Sequence, residues 1–490
     1  MRRPLSRRRQ QPIAVALALA LTACATNPVT GRQDLVFMSP EREAAIGKQE
    51  AAKVEQQIGL VRDPGLTRYV EQIGARMAKA SPRRDVAYHF AVADMAEANA
   101  FALPGGWIYV SRGLVALANS EDELAGVIGH EIGHVAARHA AQREARATGV
   151  GLLSVLGTIA AGIVGGGQAA QMASQLGQVA GAGLIASYGR DQERQADEVG
   201  QQLAASSGWN PSGLADFLQT LEREDVVRTG NKRQPSFLDS HPLPGERAVV
   251  ARERAPGLPR GAGAPIAKGR AAFLQRIDGI LVGPNPEEGV FRDDHFLHPG
   301  LGFAMTFPQK WQTQNTKSAV GAMSPQRDAM IVLELQGPTG DPRAAAQRWV
   351  QASPVRVAQS GATRVGQWQA FRALVEAQSQ QGSIAADVTW IAHPQGMFRI
   401  SGVAPPSRYR AAAPTFERVV ASFRPLSAAD RDAARPLRLR VAKARAGETL
   451  VDVGRRTGNR WSPKQTAVAN AIAAESPLPA GTLVKVALPE

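Results

Sequence analysis

The most informative segment of the chain is His130-Glu131-Ile132-Gly133-His134, which continues a helical pattern opened by the capping box Ser120-Glu121-Asp122-Glu123. Histidines at positions i and i+4 point to one face of a helix, so both imidazoles can bind one zinc ion. Glu131 can accept a proton from water that zinc has acidified. A solvent-facing helix with unrelated histidines is the competing interpretation, which is disfavoured because the chain holds only 8 histidines in 490 residues. The segment therefore indicates amide hydrolysis.

A catalytic zinc ion needs a third protein ligand and one open position. A third histidine six residues beyond the second is excluded, because Ala140 occupies that place, and His139 is off register and interpreted as structural. Glu193 is the better candidate, since it shares a helix face with Asp197. Asp197 would then accept the free N–H of a ligand histidine. Glu198 is the competing ligand, and spacing alone leaves the choice open.

The N-terminus has the pattern of an export signal that ends at a lipidated cysteine. Residues 1–12 are basic, and the apolar run at residues 13–23 is too short to span a bilayer as a helix. Leu21-Thr22-Ala23-Cys24 resembles a bacterial lipobox, and lipid chains on Cys24 would anchor the mature protein. Ala25 after the cysteine favours the outer membrane, with the protein on its periplasmic face. An ordinary signal peptide with an incidental cysteine is the alternative.

Composition narrows the class of protein. Hydrophobic residues make up 44% and charged residues 20% of the chain, which is typical of globular domains, and 490 residues suggest about three of them. The single cysteine excludes a disulfide framework and any multi-cysteine zinc site. Five arginines of the predicted signal peptide contribute to the net charge of +14, and the excess that remains without them is spread along the chain and suits anionic envelope surfaces. The charge by itself says little about nucleic acid, and the export signal argues against nucleic acid as a partner.

These residues resemble metallopeptidase family forty-eight, the HtpX-like zinc endopeptidases, and within it the periplasmic BepA-like lipoprotein branch. The likeness covers about residues 25–255. Besides the histidine pair it is carried by four segments, which are Asn27-Pro28-Val29-Thr30-Gly31, Asn99-Ala100-Phe101-Ala102-Leu103-Pro104-Gly105-Gly106, Glu193-Arg194-Gln195-Ala196-Asp197, and Ser240-His241-Pro242 with Arg247.

The resemblance implies roles for particular residues. It implies that one Zn²⁺ per chain is bound by His130, His134 and Glu193, with Glu131 as the general base. His241 would lie near the metal and stabilise the oxyanion or occupy the open position, and Arg247 would assist it. From the residues alone, a His-Pro pair in a loop is more often only a turn.

The resemblance also implies a mainly α-helical, zincin-type (gluzincin) peptidase domain with a small sheet. In that sheet Trp107, Ile108, Tyr109 and Val110 would form an edge strand that binds extended substrate by β-augmentation. The implied substrates are unfolded or misassembled envelope proteins. Beyond residue 255 the chain departs from the branch, because the helical repeats of its best-known members are missing from this sequence.

The sequence predicts a multidomain protein. A stretch without charge, residues 147–189, indicates a helical hairpin that acts as a lid near the site or dips into the membrane. The predicted divisions are a signal peptide (1–23), a lipidated tether (24–39), the peptidase domain (40–255), a linker with a connecting helix (256–288), an α+β domain (289–426) and a small module (437–490).

The two C-terminal units carry looser resemblances. The α+β domain, which opens with Phe296 to Phe303, loosely resembles a PsbP- or Mog-like fold. The module at 437–490 resembles a βααβ LysM-type module that binds polymers of N-acetylglucosamine, and a small protein-docking domain is the alternative. Two functions follow as hypotheses. The first is a zinc endopeptidase of the envelope, and the second is a scaffold lipoprotein whose C-terminal module holds peptidoglycan or a protein partner.

Overall fold

A computed structural model describes residues 24–36, 38–147, 188–228, 237–242, 244–317, 319–379 and 382–490. The predicted signal peptide lies outside these residues, as does nearly all of the predicted hairpin at 147–189. Among the described residues, no helix combines the length and the apolar character that a membrane crossing requires.

The described chain begins with a β-hairpin. Strand β1 (Cys24–Thr26) pairs antiparallel with β2 (Gln33–Leu35). The side-chain oxygen of Asn27 accepts hydrogen bonds from the backbone N–H groups two and three residues further on, which closes the turn. The predicted tether at 24–39 therefore contains a paired β-hairpin at residues 24–35.

Helices dominate the region that follows, and several of them begin where the sequence supplies a cap. Asp63 accepts hydrogen bonds from the N–H groups of Gly65 and Leu66 at the start of α2, and Ser120 does the same for Glu123 in α4. The helices are α1 (Pro40–Gln57), α2 (Pro64–Ala78), α3 (Arg112–Leu117), α4 (Glu121–Ala136), α5 (His139–Ala147), α6 (Arg190–Ser206), α7 (Gly213–Arg228), α8 (Phe237–Ser240), α9 (Pro244–Arg254) and α10 (Gly269–Ile277).

The helices pack around a three-stranded sheet of β3 (His89–Ala93), β4 (Ala100–Leu103) and β5 (Trp107–Ser111). Strand β5 is central, parallel to β3 on one side and antiparallel to β4 on the other. The prediction that Trp107, Ile108, Tyr109 and Val110 form an edge strand is therefore wrong, because both sides of their backbone already pair. Strands β3 and β4 are the two outer strands of this sheet, and β4 packs against α4.

The predicted linker after residue 255 is bound to the peptidase region. The buried carboxylate of Glu121 accepts hydrogen bonds from the backbone N–H groups of Ile266 at 2.6 Å and Ala267 at 2.5 Å. It also accepts one from the hydroxyl of Tyr69 and one from the indole of Trp209, both at 2.7 Å. Helix α10 then packs into the hydrophobic core that contains Tyr69 and Trp209. A free linker is therefore excluded for this stretch.

The next region is rich in strands. Its seven-stranded antiparallel sheet has the order β10-β11-β12-β16-β15-β14-β13, and a second sheet has the order β17-β9-β8-β7. The strands are β6 (Leu281–Val282), β7 (Val290–Arg292), β8 (His295–His298), β9 (Phe303–Thr306), β10 (Gln312–Asn315), β11 (Ala319–Met323), β12 (Met330–Leu335), β13 (Val355–Val365), β14 (Trp368–Ser379), β15 (Gly382–His393), β16 (Gly396–Ala404) and β17 (Arg424–Pro425).

Two helices cover opposite faces of the large sheet. Helix α11 (Pro342–Ala352) packs on Trp390 and its neighbours, and α12 (Pro406–Ala421) packs on the opposite face around Phe398. Successive residues of a strand point to opposite faces, so the apolar run of β16 serves both cores. Helix α13 (Ala428–Ala433) follows. The region thus has both helices and an antiparallel sheet, as the sequence predicted for an α+β domain.

The C-terminal module has the predicted order of strand, helix, helix and strand. Strand β18 (Leu437–Lys443) pairs antiparallel with β19 (Leu483–Pro489), and α14 (Leu450–Thr457) and α15 (Pro463–Asn470) lie between them. Strand β18 also pairs with β6. The buried amino group of Lys485 donates hydrogen bonds to the carbonyl groups of residues 116, 117 and 118, at 2.9, 2.9 and 2.8 Å. The module is therefore docked on the end of α3, directly before α4.

Candidate metal centre

Four buried side chains converge on one point between helices α4, α6 and α8. Each of His130, His134, Glu193 and His241 offers one ligand atom, and these atoms all lie within 4.8 Å of one another. The Nε2 atoms of His130 and His134 are 3.0 Å apart, as two histidines on one face of a helix require. The predicted histidine pair and Glu193 are therefore brought together, although 59 positions separate Glu193 from His134 in the chain.

Close packing of α4 on α6 lets Glu193 reach the histidines. A Cβ atom placed on Gly133 would lie 2.8 Å from the carbonyl oxygen of Ala196, and one on Gly129 would lie 2.7 Å from that of Gly200. Any larger residue at either position would therefore push the helices apart. With glycine there, a carboxylate oxygen of Glu193 lies 3.4 Å from Nε2 of His134.

Asp197 fixes the orientation of the first histidine. Its Oδ1 atom lies 2.8 Å from Nδ1 of His130, on the side of the ring that faces away from Glu193. A hydrogen bond from Nδ1–H to this carboxylate leaves Nε2 with its lone pair directed into the cluster. The position of Asp197 is the one that the spacing on α6 predicted.

His139 supports His134, the second histidine of the pair, and this contact was not predicted from the sequence. Its Nδ1 lies 2.9 Å from Nδ1 of His134, and its Nε2 lies 2.8 Å from Oε1 of Gln195. Burial lowers the pKa of His139 to about 4, so its ring is neutral. Its Nδ1 accepts a hydrogen bond from Nδ1–H of His134, and its Nε2–H donates one to Gln195. His139 is off register only if α4 continues unbroken through it. The chain breaks at Arg138, whose φ is 57°, and this break turns His139 back toward the cluster.

Glu131 lies beside the cluster with both carboxylate oxygens unpaired. It is fully buried, and neither oxygen has a hydrogen-bond partner among the described residues. The Nε2 atom of His241 lies 3.6 Å from Oε1 of Glu131, too far for a hydrogen bond. Burial raises the pKa of Glu131. An unpaired buried carboxylate is costly, and such groups are typical of sites that handle protons.

His241 lies inside the cluster, held by the α8 turn. Its Nδ1 is 2.9 Å from Oε1 of Glu193 and 3.2 Å from Nε2 of His130. Its ring stacks on Phe237 with centroids 4.1 Å apart, and its backbone N–H donates to the carbonyl of the same residue. The resemblance placed His241 near the metal site, and the structure brings its ring among the candidate ligands.

Arg247 lies behind the ligands, where its guanidinium contacts two carboxylates. Its Nε and Nη2 atoms donate to the two oxygens of Asp197 at 2.8 and 2.7 Å. Its Nη1 lies 2.5 Å from Oε2 of Glu193. Although burial opposes the shift, His241, His134 and Arg247 lower the pKa of Glu193, which stays ionised. The guanidinium is thus engaged by two carboxylates, so we interpret Arg247 as a positioning residue.

The donor set suits a zinc ion. Two imidazole nitrogens and one carboxylate oxygen are the ligands of many catalytic zinc sites. The carboxylate oxygens of Glu131 and the Nε2 atom of His241 lie next to these ligands. None of these atoms has a hydrogen-bond partner among the described residues, so polar groups line the fourth side of the cluster. The residues therefore fit the metal ion that their spacing predicted.

Comparison with known proteins finds similarity in the same part of the chain. Residues 64–255 match Peptidase family M48. A Beta-barrel assembly-enhancing protease of Yersinia pestis is 36% identical over 237 residues, which cover 46% of this chain and 47% of that protein. Metalloprotease LoiP of Escherichia coli strain K12 is 34% identical over 158 residues, covering 32% of this chain and 59% of LoiP. The chain thus spans about half the length of the first relative.

A solved structure also shows a likeness to part of this chain. A solution structure of cyanobacterial PsbP from Synechocystis sp. PCC 6803 is 10% identical and covers 28% of this chain and 95% of that one, with a TM-score of 0.24. A TM-score this low does not establish a shared fold. The PsbP- or Mog-like assignment stays a prediction, and so does the LysM-like assignment of the C-terminal module.

Proposed function

We propose that the protein, whose residues 64–255 match Peptidase family M48, is a zinc-dependent endopeptidase of the bacterial envelope. The observation that carries this proposal is the convergence of His130, His134 and Glu193 on one buried point, with the unpaired carboxylate of Glu131 beside it. Nothing else among the described residues combines metal ligands with a free base in this way.

The roles of the residues follow from their contacts. His130, His134 and Glu193 would hold one Zn²⁺, which supplies Lewis acidity toward a peptide carbonyl and acidifies water. Glu131 takes a proton at its carboxylate and later donates it to the leaving amine. Asp197 and His139 hold the two ligand rings in the tautomer that leaves Nε2 free.

His241 is proposed as the group that stabilises the developing oxyanion. Its Nε2 lies 3.6 Å from Oε1 of Glu131. A substrate carbonyl that binds beside Glu131 would therefore lie within reach of the His241 ring. Its Nε2 has no hydrogen-bond partner among the described residues and is therefore available for that contact. The close approach of its Nδ1 to Glu193 also allows it to occupy the open position when substrate is absent.

The proposed substrates are unfolded or misassembled envelope proteins. An extended segment would pair with β4, since β5 has no free side and β4 is the outer strand beside α4. The similar Yersinia protein is named for enhancing β-barrel assembly, which supports the envelope as the place of action. Lipidation of Cys24 would attach the protein to the outer membrane on its periplasmic face, as the lipobox predicts.

The proposal is tested by metal removal. Casein, an unfolded protein, is incubated with the purified mature chain before and after treatment with 1,10-phenanthroline. We expect cleavage in the first sample, loss to the enzyme-free background in the second, and recovery when zinc is added back. Cleavage that persists in the chelated sample, with zinc removal verified by metal analysis, would exclude zinc-dependent hydrolysis.

A second role, anchoring to peptidoglycan, is proposed for the C-terminal module on the strength of its βααβ order. Because β18 pairs with β6 and Lys485 binds the end of α3, the test uses the whole mature chain. We expect sedimentation with purified peptidoglycan, and release by soluble N-acetylglucosamine oligomers. Sedimentation no greater than that of a chain ending at residue 436, if that chain remains folded, would leave the module a docking element only.

A further inference from the structure

The N-terminal hairpin, residues 24–35, is joined to the helices of the metal centre by a line of polar side chains. Oδ2 of Asp34 accepts hydrogen bonds from Nδ2 of Asn27 and from Nε2 of Gln142, both at 2.7 Å. Oε1 of Gln142 in turn accepts one from Nε2 of Gln192, at 2.9 Å. Gln142 and Gln192 are 9% and 7% exposed, so water competes little for these bonds.

The line ends at the residue next to a proposed metal ligand. Gln192 directly precedes Glu193, and its Oε1 accepts a hydrogen bond at 3.2 Å from the backbone N–H of Gly189, which closes the first turn of α6. The orientation of that turn sets where the Glu193 carboxylate points. A change in the side chain of Gln192 therefore acts on the position of Glu193 through one turn of helix.

Gln142 is the junction of the line. Besides Asp34 and Gln192, it binds the end of α4, because its Nε2 donates to the carbonyl oxygen of Ala137 at 2.9 Å. It also lies on α5 one turn beyond His139, the residue that supports His134. Its amide thus donates to the hairpin and to α4 and accepts from α6. Only one orientation of the amide satisfies all three contacts, and its two acceptors, Asp34 and the carbonyl of Ala137, select it together.

From this arrangement we infer that Asp34 is a positioning residue of the metal centre. Through Gln142 and Gln192 it fixes the first turn of α6, and with it the carboxylate of Glu193. The hairpin that follows the predicted lipidation site is thus part of the metal-binding unit. Removal of the Asp34 carboxylate takes away one of the two acceptors that hold the Gln142 amide, which loosens the orientation in which Gln142 accepts from Gln192. This inference rests on the proposed function, since it concerns the same metal site.

The test measures metal binding and ligand geometry, independently of proteolysis. The mature chain, freed of zinc, is titrated with Co²⁺, and its visible d–d absorption reports the coordination. For Asp34→Ala we expect binding weakened about tenfold, the lower end of what the loss of a group supporting a ligand costs, and an altered spectrum at saturation. Asp34→Asn keeps an oxygen acceptor and should restore both, and Arg32→Ala, an exposed change in the same hairpin, should match the wild type.

Each outcome decides the question. Wild-type affinity and spectrum in a folded Asp34→Ala variant would overturn the inference, as would a fall in melting temperature with an unchanged spectrum, which indicates a purely structural role. If Asp34→Ala does not fold, Gln192→Met breaks the last bond of the line at nearly constant volume and must show the same weakening. A wild-type chain that binds no Co²⁺ would overturn the proposed function itself and this inference with it.

Discussion

Replacing Glu131 by glutamine is expected to lower the rate of casein cleavage by about a thousandfold, within the range that general acid–base catalysis contributes. Glutamine has nearly the same volume as glutamate but cannot take up a proton at neutral pH. Both oxygens of Glu131 lack hydrogen-bond partners among the described residues, so the change breaks no internal bond. Because Glu131 is outside the cluster of candidate ligands, the variant should keep its zinc ion.

The matched control for this variant is Glu198→Gln, which removes an exposed carboxylate from α6. We expect that control to cleave casein at the wild-type rate and to melt at the wild-type temperature. Initial rates are measured by release of fluorescent fragments, with zinc content determined on the same samples. Wild-type cleavage by a folded, zinc-loaded Glu131→Gln variant would falsify the hydrolytic mechanism.

Replacing Lys485 by methionine is expected to lower the free energy of unfolding by about 3 kcal/mol or more. The amino group of Lys485 is buried and donates to three consecutive carbonyl groups at the end of α3. Methionine fills similar space but donates nothing. The carbonyl of Leu117 keeps the hydrogen bond from Asn119, and each of the other two, left unpaired, costs about 1–3 kcal/mol. The effect is also expected at the metal centre, because residues 116–118 lead directly into α4.

The loss is measured by urea denaturation followed by tryptophan fluorescence. Lys464→Met, an exposed change on α15 of the same module, serves as the control and should unfold at the wild-type urea concentration. Coincident unfolding curves for the two variants would contradict a docked module. The prediction also separates two views of residues 437–490, because a module on a free connection would unfold without disturbing the peptidase domain.

The local parts of the candidate site were predictable from the sequence. The helix that carries His130 and His134 is specified by its cap at Ser120 and by a four-residue spacing that any α-helix places on one face. The choice of Glu193 over Glu198 needed the family resemblance, because both carboxylates lie on one helix. In the structure Glu193 is buried at the cluster and Glu198 is exposed.

The wrong predictions concern contacts between distant segments. Whether β5 is an edge or a central strand depends on its parallel pairing with β3, and no residue of β5 signals that partner. Glu121 fits an ordinary cap at the start of a helix, yet its carboxylate binds the backbone of Ile266 and Ala267 and fixes the supposed linker. His139 was misplaced because its position depends on one left-handed residue, Arg138, which is not glycine.

The central claim is that His130, His134 and Glu193 bind one metal ion, and metal content tests it most directly. Zinc is measured by plasma mass spectrometry in the wild type, Glu193→Gln and Glu198→Gln after extensive dialysis. The account predicts one zinc ion per chain in the wild type and in Glu198→Gln, and a large loss in Glu193→Gln. A wild type without zinc, or a Glu193→Gln variant that keeps as much as the wild type, would contradict it.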